Sequence, residues 1–361
     1  SAEGGEGSTK IPVQYTVGGS DACLDRRRTP YVAFVTLESA TLAWECAPDG
    51  VVEWGIAPGL TDHLEVQEEG NKHRVTLPNL ASDTVYEYRV TAGGDLLGKG
   101  TFRTTIGVGE NDFSFIVFGD SGQGSSAQLA MASLMEKLNF SFAILPGDVI
   151  YEGGYESEFE PAYFVPYKRL IDHLPFFPVA GNHDLVADQG KTFRENFFHP
   201  NGSLYYDFRW GNTHFIALDS THSDDPAQKT WLEQTLAASA ASWKIVYFHH
   251  PPYNSGIFGN NAFIQRDFVP ILEKYKVDVV FTGHAHSYER TFPINQVTYF
   301  VTGGGGGGLT RTGKSDFTAY SDSVYHLLLV EMTAGTLTAK ALDRNGNVFD
   351  SVTISKDPPI D

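Results

Sequence analysis

Between residues 31 and 105 the apolar positions come in short, turn-punctuated runs. Residues 40–46 (Ala-Thr-Leu-Ala-Trp-Glu-Cys) alternate apolar with polar, and residues 51–55, 73–77 and 84–90 continue the series. Runs at this spacing predict an all-β sandwich. Residues 104–112, with Gly107, Gly109 and an acidic pair, read as a linker. After it the pattern changes. Residues 125–138 carry Leu129, Met131, Leu134, Met135 and Leu138 at helical spacing. Asp225-Pro226 opens a helix through Trp231, Leu232 and Leu236, and residues 263–275 form an amphipathic stretch that Pro270 kinks or breaks. Strands alternating with such helices predict βαβ units and a sheet with parallel strands. The chain turns β-rich again over residues 297–302, 325–332, 337–342 and 348–354, with Asp343-Arg344-Asn345-Gly346 as a hairpin turn. The expected organisation is an extended segment over 1–29, a β-sandwich over 30–108, an α/β domain over 109–355 and a tail over 356–361.

Five apolar runs in the second domain end in residues that can bind metal. They end at Gly119-Asp120, Gly147-Asp148-Val149-Ile150-Tyr151, Gly181-Asn182-His183-Asp184, His249-His250 and Gly283-His284-Ala285-His286. Strand ends of an open α/β sheet are where ligands and chemistry collect. Asp120 and Asp148 lie about one βαβ unit apart, roughly 30 residues, so both emerge at the same sheet edge. Taken singly, each part has an ordinary explanation. An Asp after a strand is usually a helix cap, a lone His a core or surface residue, and Asn-His-Asp a turn. Together they describe one polynuclear metal site. Asp148 is placed at its centre, because a carboxylate with two oxygens can bridge two cations. Carboxylate, imidazole, amide and phenol without thiolate suit Fe, Zn or Mn. The phenol of Tyr151 favours a trivalent ion, for which Fe(III) is the natural candidate.

Composition narrows the partners. The 361 residues are 13% aromatic and 19% charged, as in a folded globular protein. A formal net charge of −18, from 26 basic and 44 acidic residues, argues against a nucleic-acid polyanion as the main partner. It does not exclude a small phosphate ester, since bound cations override an acidic surface locally. No apolar run reaches the roughly 20 residues that span a bilayer. Two cysteines, Cys23 and Cys46, are too few for a cysteine metal site; they suggest one disulfide and an oxidising compartment, against the alternative of two buried thiols. The expected location is secreted, periplasmic or extracellular, with any signal peptide removed.

The five blocks, together with the stretch from Gly283 to Tyr288-Glu289-Arg290, resemble those of purple acid phosphatases within the calcineurin-like metallophosphoesterases. The Leu77-Pro78-Asn79-Leu80 stretch followed by Tyr86 and Tyr88 resembles the tyrosine corner of fibronectin type III domains, with Trp44 as core tryptophan. The resemblance covers about residues 30–355. It implies a two-sheet α/β/β/α sandwich behind a fibronectin type III-like domain. It also implies an Fe(III) site of Asp120, Asp148, Tyr151 and His286, and a divalent site (Fe, Zn or Mn) of Asp148, Asn182, His249 and His284. His183 would face the substrate phosphate and help protonate the leaving group. The implied activity is hydrolysis of phosphate monoesters by attack of a metal-bound hydroxide. A phosphodiesterase or nucleotide hydrolase with the same metals is the alternative, and a non-catalytic binding module a remote one. His250 can contact phosphate or simply hydrogen-bond its surroundings, and His222 in a polar loop is a further candidate for the substrate. The six glycines from Gly303 to Gly308 form either a close approach to a ligand or a loose rim loop.

Overall fold

The structure is a computed structural model and describes residues 28–45, 50–66 and 71–356. Cys23 and Cys46, most of the expected extended segment and most of the tail lie outside those residues. The N-terminal region is all β. A three-stranded sheet (Arg28–Val35, Ala40–Glu45, Lys72–Leu77) faces a four-stranded one (Asp62–Val66, Gly50–Ile56, Val85–Ala92, Asp95–Arg103), and every pairing is antiparallel. Leu42, Trp44, Val52 and Val90 fill the space between the sheets. Tyr86 Oη accepts the Ala81 N–H at 2.8 Å, the back-bond of a tyrosine corner.

The remainder is α/β. One sheet has six strands, in the order Phe176–Val179, Phe142–Pro146, Phe113–Val117, His326–Met332, Thr336–Asp343 and Val348–Ser355; the first three are parallel and the others antiparallel. The second has seven, in the order Tyr206–Trp210, Thr213–Ala217, Trp243–Tyr247, Val279–Thr282, Thr298–Thr302, Tyr288–Thr291 and Thr318–Asp322, with a parallel centre. The period of two decides which side chain goes where. Phe115 and Val117 point to the space between the sheets, where Phe115 stacks on Phe142 at 5.2 Å and meets Phe215 edge-on at 5.2 Å. Ile116 and Phe118 point outward, to Met131 on the helix Ser126–Met135 and Tyr167 on the helix Val165–Ile171. The other sheet turns Ile216 and Val246 to the helices Pro226–Ala237 and Ala262–Asp267. The result is the layered α/β/β/α arrangement. Each fully buried Phe of this interior contributes on the order of 1.5–3 kcal/mol.

One helical feature departs from the sequence reading, and a second, an expected break, is borne out. Pro161 and Pro166 masked a helical stretch, which runs as Glu156–Phe159, a π-helical turn Glu160–Phe164, and Val165–Ile171. Wider turns of this kind accommodate prolines that an α-helix interior rejects. The 263–275 stretch is two helices, Ala262–Asp267 and Val269–Lys274, joined at Phe268. Pro270 lies in the first turn of the second, where its missing N–H costs nothing.

The β-sandwich packs directly on the α/β domain. Phe34 meets Phe177 at 5.2 Å, and Tyr31 donates to the Asn196 carbonyl at 2.8 Å. The Arg28 guanidinium lies 3.4 Å from the Phe164 ring centre and bonds Glu160 and Asn196. Among the described residues, no helix is long and apolar enough to cross a membrane.

Candidate metal centre

The five expected strand ends meet on one rim. Asp120, Asp148 and Asn182 follow strands of the six-stranded sheet; His249, His284 and His286 follow strands of the other. The chain turns sharply at each. Asp120, Asp148 and His284 have φ of 57°, 48° and 69°, a left-handed conformation uncommon outside glycine and found where a site dictates it. Such turns swing the side chains across the gap between the sheets. The approach is close enough that a Cβ on Gly283 would lie 2.4 Å from Asp120 Oδ2.

Two groups of donors result. In the first, Tyr151 Oη lies 3.2 Å from Asp120 Oδ1, 3.0 Å from Asp148 Oδ2 and 2.9 Å from His286 Nε2. In the second, Asn182 Oδ1 is 3.1 Å from both His249 Nε2 and His284 Nδ1, which are 3.3 Å from each other. Asp148 stands between them, its Oδ2 3.3 Å from His249 Nε2. Its other oxygen accepts the His183 N–H at 2.9 Å. The sequence reading assigned the bridge to two oxygens; here Oδ1 is engaged by backbone, so Oδ2 alone faces both groups.

Supporting hydrogen bonds fix ring orientation. His249 Nδ1 donates to the Pro146 carbonyl at 3.0 Å and His286 Nδ1 to the Gly308 carbonyl at 2.7 Å, which turns each Nε2 toward the centre, where a cation would displace any proton it carries. Burial pushes the Tyr151 hydroxyl pKa far up, and the charges of Asp120 and Asp148 push it further, so without a strong cation it stays a phenol. Burial alone would lower the His249 pKa, but the charge and hydrogen bond of Asp148 raise it to about 9. Ligand atoms of Asp120, Asp148 and His249 lie within 4.8 Å of one another, as do those of His249, His250 and His284. Buried carboxylates facing imidazole nitrogens, with no Lys or Arg bonded to either carboxylate among the described residues, are a donor set that fits two cations.

The other sequence candidates divide. His183 is not among these donors. Its Nδ1 donates to the Glu152 carbonyl at 2.7 Å and its ring packs 4.6 Å from Tyr151. His250 lies closer to the centre than expected, its ring 4.6 Å from His284 and its Nδ1 3.0 Å from Ser220 Oγ. Burial, with the neighbouring His249 and His284, holds its pKa well below the usual imidazole range. His222 is exposed and bonds Asp219 Oδ2 at 2.7 Å.

Two features go beyond what the sequence reading resolved. Asp184 accepts N–H groups of Val149, Ile150 and Gly181 at 3.1, 2.8 and 2.7 Å, tying the Asp148 turn to the Asn182 turn. Burial and the charge of Asp148 raise its pKa to about 8 against those bonds. The available signal was an Asp three positions after Gly181, close enough in the chain for its carboxylate to reach back to that N–H. The second is the glycine run, whose packing favours close approach over a loose loop. Gly303 to Gly307 are buried, and the Gly305 and Gly307 N–H groups donate to the Gly119 and Asp120 carbonyls at 3.0 and 2.7 Å.

Comparison with known proteins relates this site to a family. Residues 113–288 match the family model described as calcineurin-like phosphoesterase. Purple acid phosphatase 18 of Arabidopsis thaliana is 28% identical over 280 residues, covering 68% of this chain and 61% of that protein. Probable inactive purple acid phosphatase 1 of the same plant is 26% identical over 367 residues, covering 81% and 59%. The chain thus spans about three fifths of these relatives. The solved purple acid phosphatase PPD1 of yellow lupin (Lupinus luteus) superposes with a TM-score of 0.82 at 19% identity, over 91% of this chain and 75% of that one. Residues 113–288 thus resemble calcineurin-like phosphoesterases, and purple acid phosphatases are among the proteins to which the chain is similar.

Proposed function

We propose that the protein is a binuclear metal-dependent phosphomonoesterase of the purple acid phosphatase kind. The observation that carries this reading is the convergence of seven donor side chains in two groups that share Asp148 Oδ2. Completeness matters, because one of the relatives is named as inactive, and likeness alone does not separate working from decayed sites. Asp120, Asp148, Tyr151 and His286 would hold an Fe(III) ion, and Asp148, Asn182, His249 and His284 a divalent one. When bound, such a pair polarises a phosphoryl oxygen and supplies a nucleophile at moderate pH.

The chain's own residues do the rest. His183, anchored through Nδ1 to Glu152 with its ring against Tyr151, would deliver a proton to the departing alcohol oxygen. Asp184 holds the turns that carry Asp148 and Asn182 in register. Tyr151 delivers its hydroxyl oxygen between Asp120, Asp148 and His286.

The test is to load the protein with iron and a divalent metal, count the ions, and assay a phosphate monoester against a diester. Two ions per chain and preferential monoester hydrolysis are expected. The oxidised iron form should absorb broadly in the visible, and Tyr151→Phe should remove that band while metal remains bound. Colour that survives Tyr151→Phe would eliminate the phenolate assignment, and preference for the diester would overturn the proposed activity.

A further inference from the structure

Beside the centre lies a cavity of about 400 Å³ to which Asn182 and His250 both contribute. It is a space large enough for an organic group, with residues of the centre in its wall. Its walls come from two segments that the phosphate chemistry does not use: residues 220–224, after the strand Thr213–Ala217, and the helix Ala262–Asp267 with its cap Asn261.

The wall chemistry is specific. Phe263 stands in the wall 65% exposed. Ile257 and Phe258, just before it in the chain, are 63% and 49% exposed, and the Phe258 ring lies 4.5 Å from His284. Single exposed apolar residues are ordinary. Three within seven positions, one of them lining the cavity and one against His284, give apolar surface beside the centre. Opposite it stand groups that hydrogen-bond without net positive charge. Thr221 offers a hydroxyl, Asn261 the amide NH2 left over from its helix cap, and Asp224 a carboxylate, while Ser220 Oγ is already bonded to His250. Arg266 is the cation of this wall, and its guanidinium is spent on Asp267, at 3.0 Å from Nε to Oδ1 and 2.5 Å from Nη2 to Oδ2. Asp267 also bonds Lys229 at 3.2 Å. Two cations, Arg266 and Lys229, share the carboxylate of Asp267, and Asp224 adds a second carboxylate, so this side of the cavity carries no net positive charge to attract a second phosphate.

We infer that this cavity is the leaving-group site and that it takes an uncharged planar ring with hydrogen-bonding edges, so that the substrate class is a nucleoside monophosphate. The inference rests on the phosphomonoesterase reading and narrows it. Phe263 stacks the base, Asp224 accepts from a donor on the base edge, and Thr221 and Asn261 meet the sugar hydroxyls. The phosphorus–oxygen bond to the nucleoside breaks, that oxygen takes the proton of His183, and water supplies the oxygen gained by phosphate. A leaving group that itself carries phosphates, as in a nucleoside triphosphate, is disfavoured by the same walls.

The experiment compares wild-type protein with Phe263→Ala, Phe263→Tyr and Asp224→Asn, using two readouts. Phe263 is exposed, so its replacement leaves the core untouched. The first readout is equilibrium binding of adenosine, followed by NMR or calorimetry, which needs no turnover. Saturable binding, weakened about fivefold or more by Phe263→Ala and retained by Phe263→Tyr, is expected from the usual worth of base–aromatic stacking. The second is kcat/KM on adenosine monophosphate, glycerol phosphate and adenosine triphosphate. Phe263→Ala should lower the first by a similar factor and leave glycerol phosphate within about twofold, a contrast that a merely structural role of Phe263 does not produce. Asp224→Asn should raise turnover of the triphosphate relative to the monophosphate. Absence of saturable adenosine binding overturns the inference, as does an equal loss on glycerol phosphate. Hydrolysis of glycerol phosphate with no adenosine binding sinks this inference alone; adenosine binding with no ester hydrolysed sinks the phosphatase reading and keeps the site.

Discussion

At the scale of single residues, His183 and Asp148 divide the work through their hydrogen bonds. His183 gives its backbone N–H to Asp148 and its Nδ1–H to Glu152, so its side chain is positioned by the centre without being one of the donors. His183→Ala is therefore expected to leave metal content unchanged and to lower kcat by about 10²–10⁴-fold, the usual worth of general acid–base assistance. The loss should shrink for esters with good leaving groups; a uniform loss, or loss of metal, would remove the assigned role. Which residues face the centre was legible in the sequence, because a short apolar run ending in Asp, Asn or His states its position at a strand end. How their second atoms are used was not. The contacts from Asp184 to Val149 and Ile150, and the engagement of Asp148 Oδ1, join residues more than thirty positions apart, and no local pattern encodes them.

At the scale of elements, the glycine run is the clearest case of backbone acting as a packing surface. A Cβ on Gly305 would lie 2.4 Å from the Gly119 carbonyl oxygen, whereas one on Gly308 would meet nothing within 4 Å. Gly305→Ala must displace the Asp120 turn. Overpacking of this sort typically costs about 1–3 kcal/mol, and metal content and kcat should both fall. Gly308→Ala, three positions later, is the internal control and should behave as wild type in both measurements. Equal behaviour of the two variants would show that the run is not packed as described. The sequence left close approach and a loose loop equally open, since six glycines carry no side-chain pattern to read. It was also silent on the helical stretch ending at Ile171, because Pro161 and Pro166 argue against a helix unless the wider turn between them is known.

At the scale of the whole molecule, stability has an acid-sensitive component that does not belong to the centre. His199 is fully buried beneath the β-sandwich side of the fold, stacked on Phe193 at 5.3 Å, with Nε2 on the Pro178 carbonyl at 3.2 Å and Nδ1 without a partner among the described residues. Burial lowers its pKa from 6.5 to about 4, and His326 is shifted the same way. The unfolded chain then binds more protons than the folded one between those values. The stability is fully present above about pH 6.5 and drains away as pH falls toward 4, by about 3 kcal/mol per histidine. Melting temperatures followed from pH 7 to pH 4 should drop steeply, and His199→Phe should flatten the slope. An unchanged slope in that variant would show that His199 does not carry the effect. The division into a β-sandwich and an α/β region was legible from the change of period after residue 105. The joining of Phe113–Val117 to His326–Met332 was not, since strand pairing across two hundred residues is decided by packing alone.

Each donor group draws on both sheets, and that has a consequence for synthesis. The His284 N–H bonds to Asp120 span 164 positions of chain. At roughly 5–20 residues per second, a ribosome releases Asp120 on the order of ten seconds before the histidines that complete its surroundings. During that interval the nascent chain displays buried-type carboxylates with no partner, and neither ion can be held by a full set of ligands. The donor set is therefore complete only after His284 and His286 have been made, and a chain cut short before His284 would lack donors from both groups.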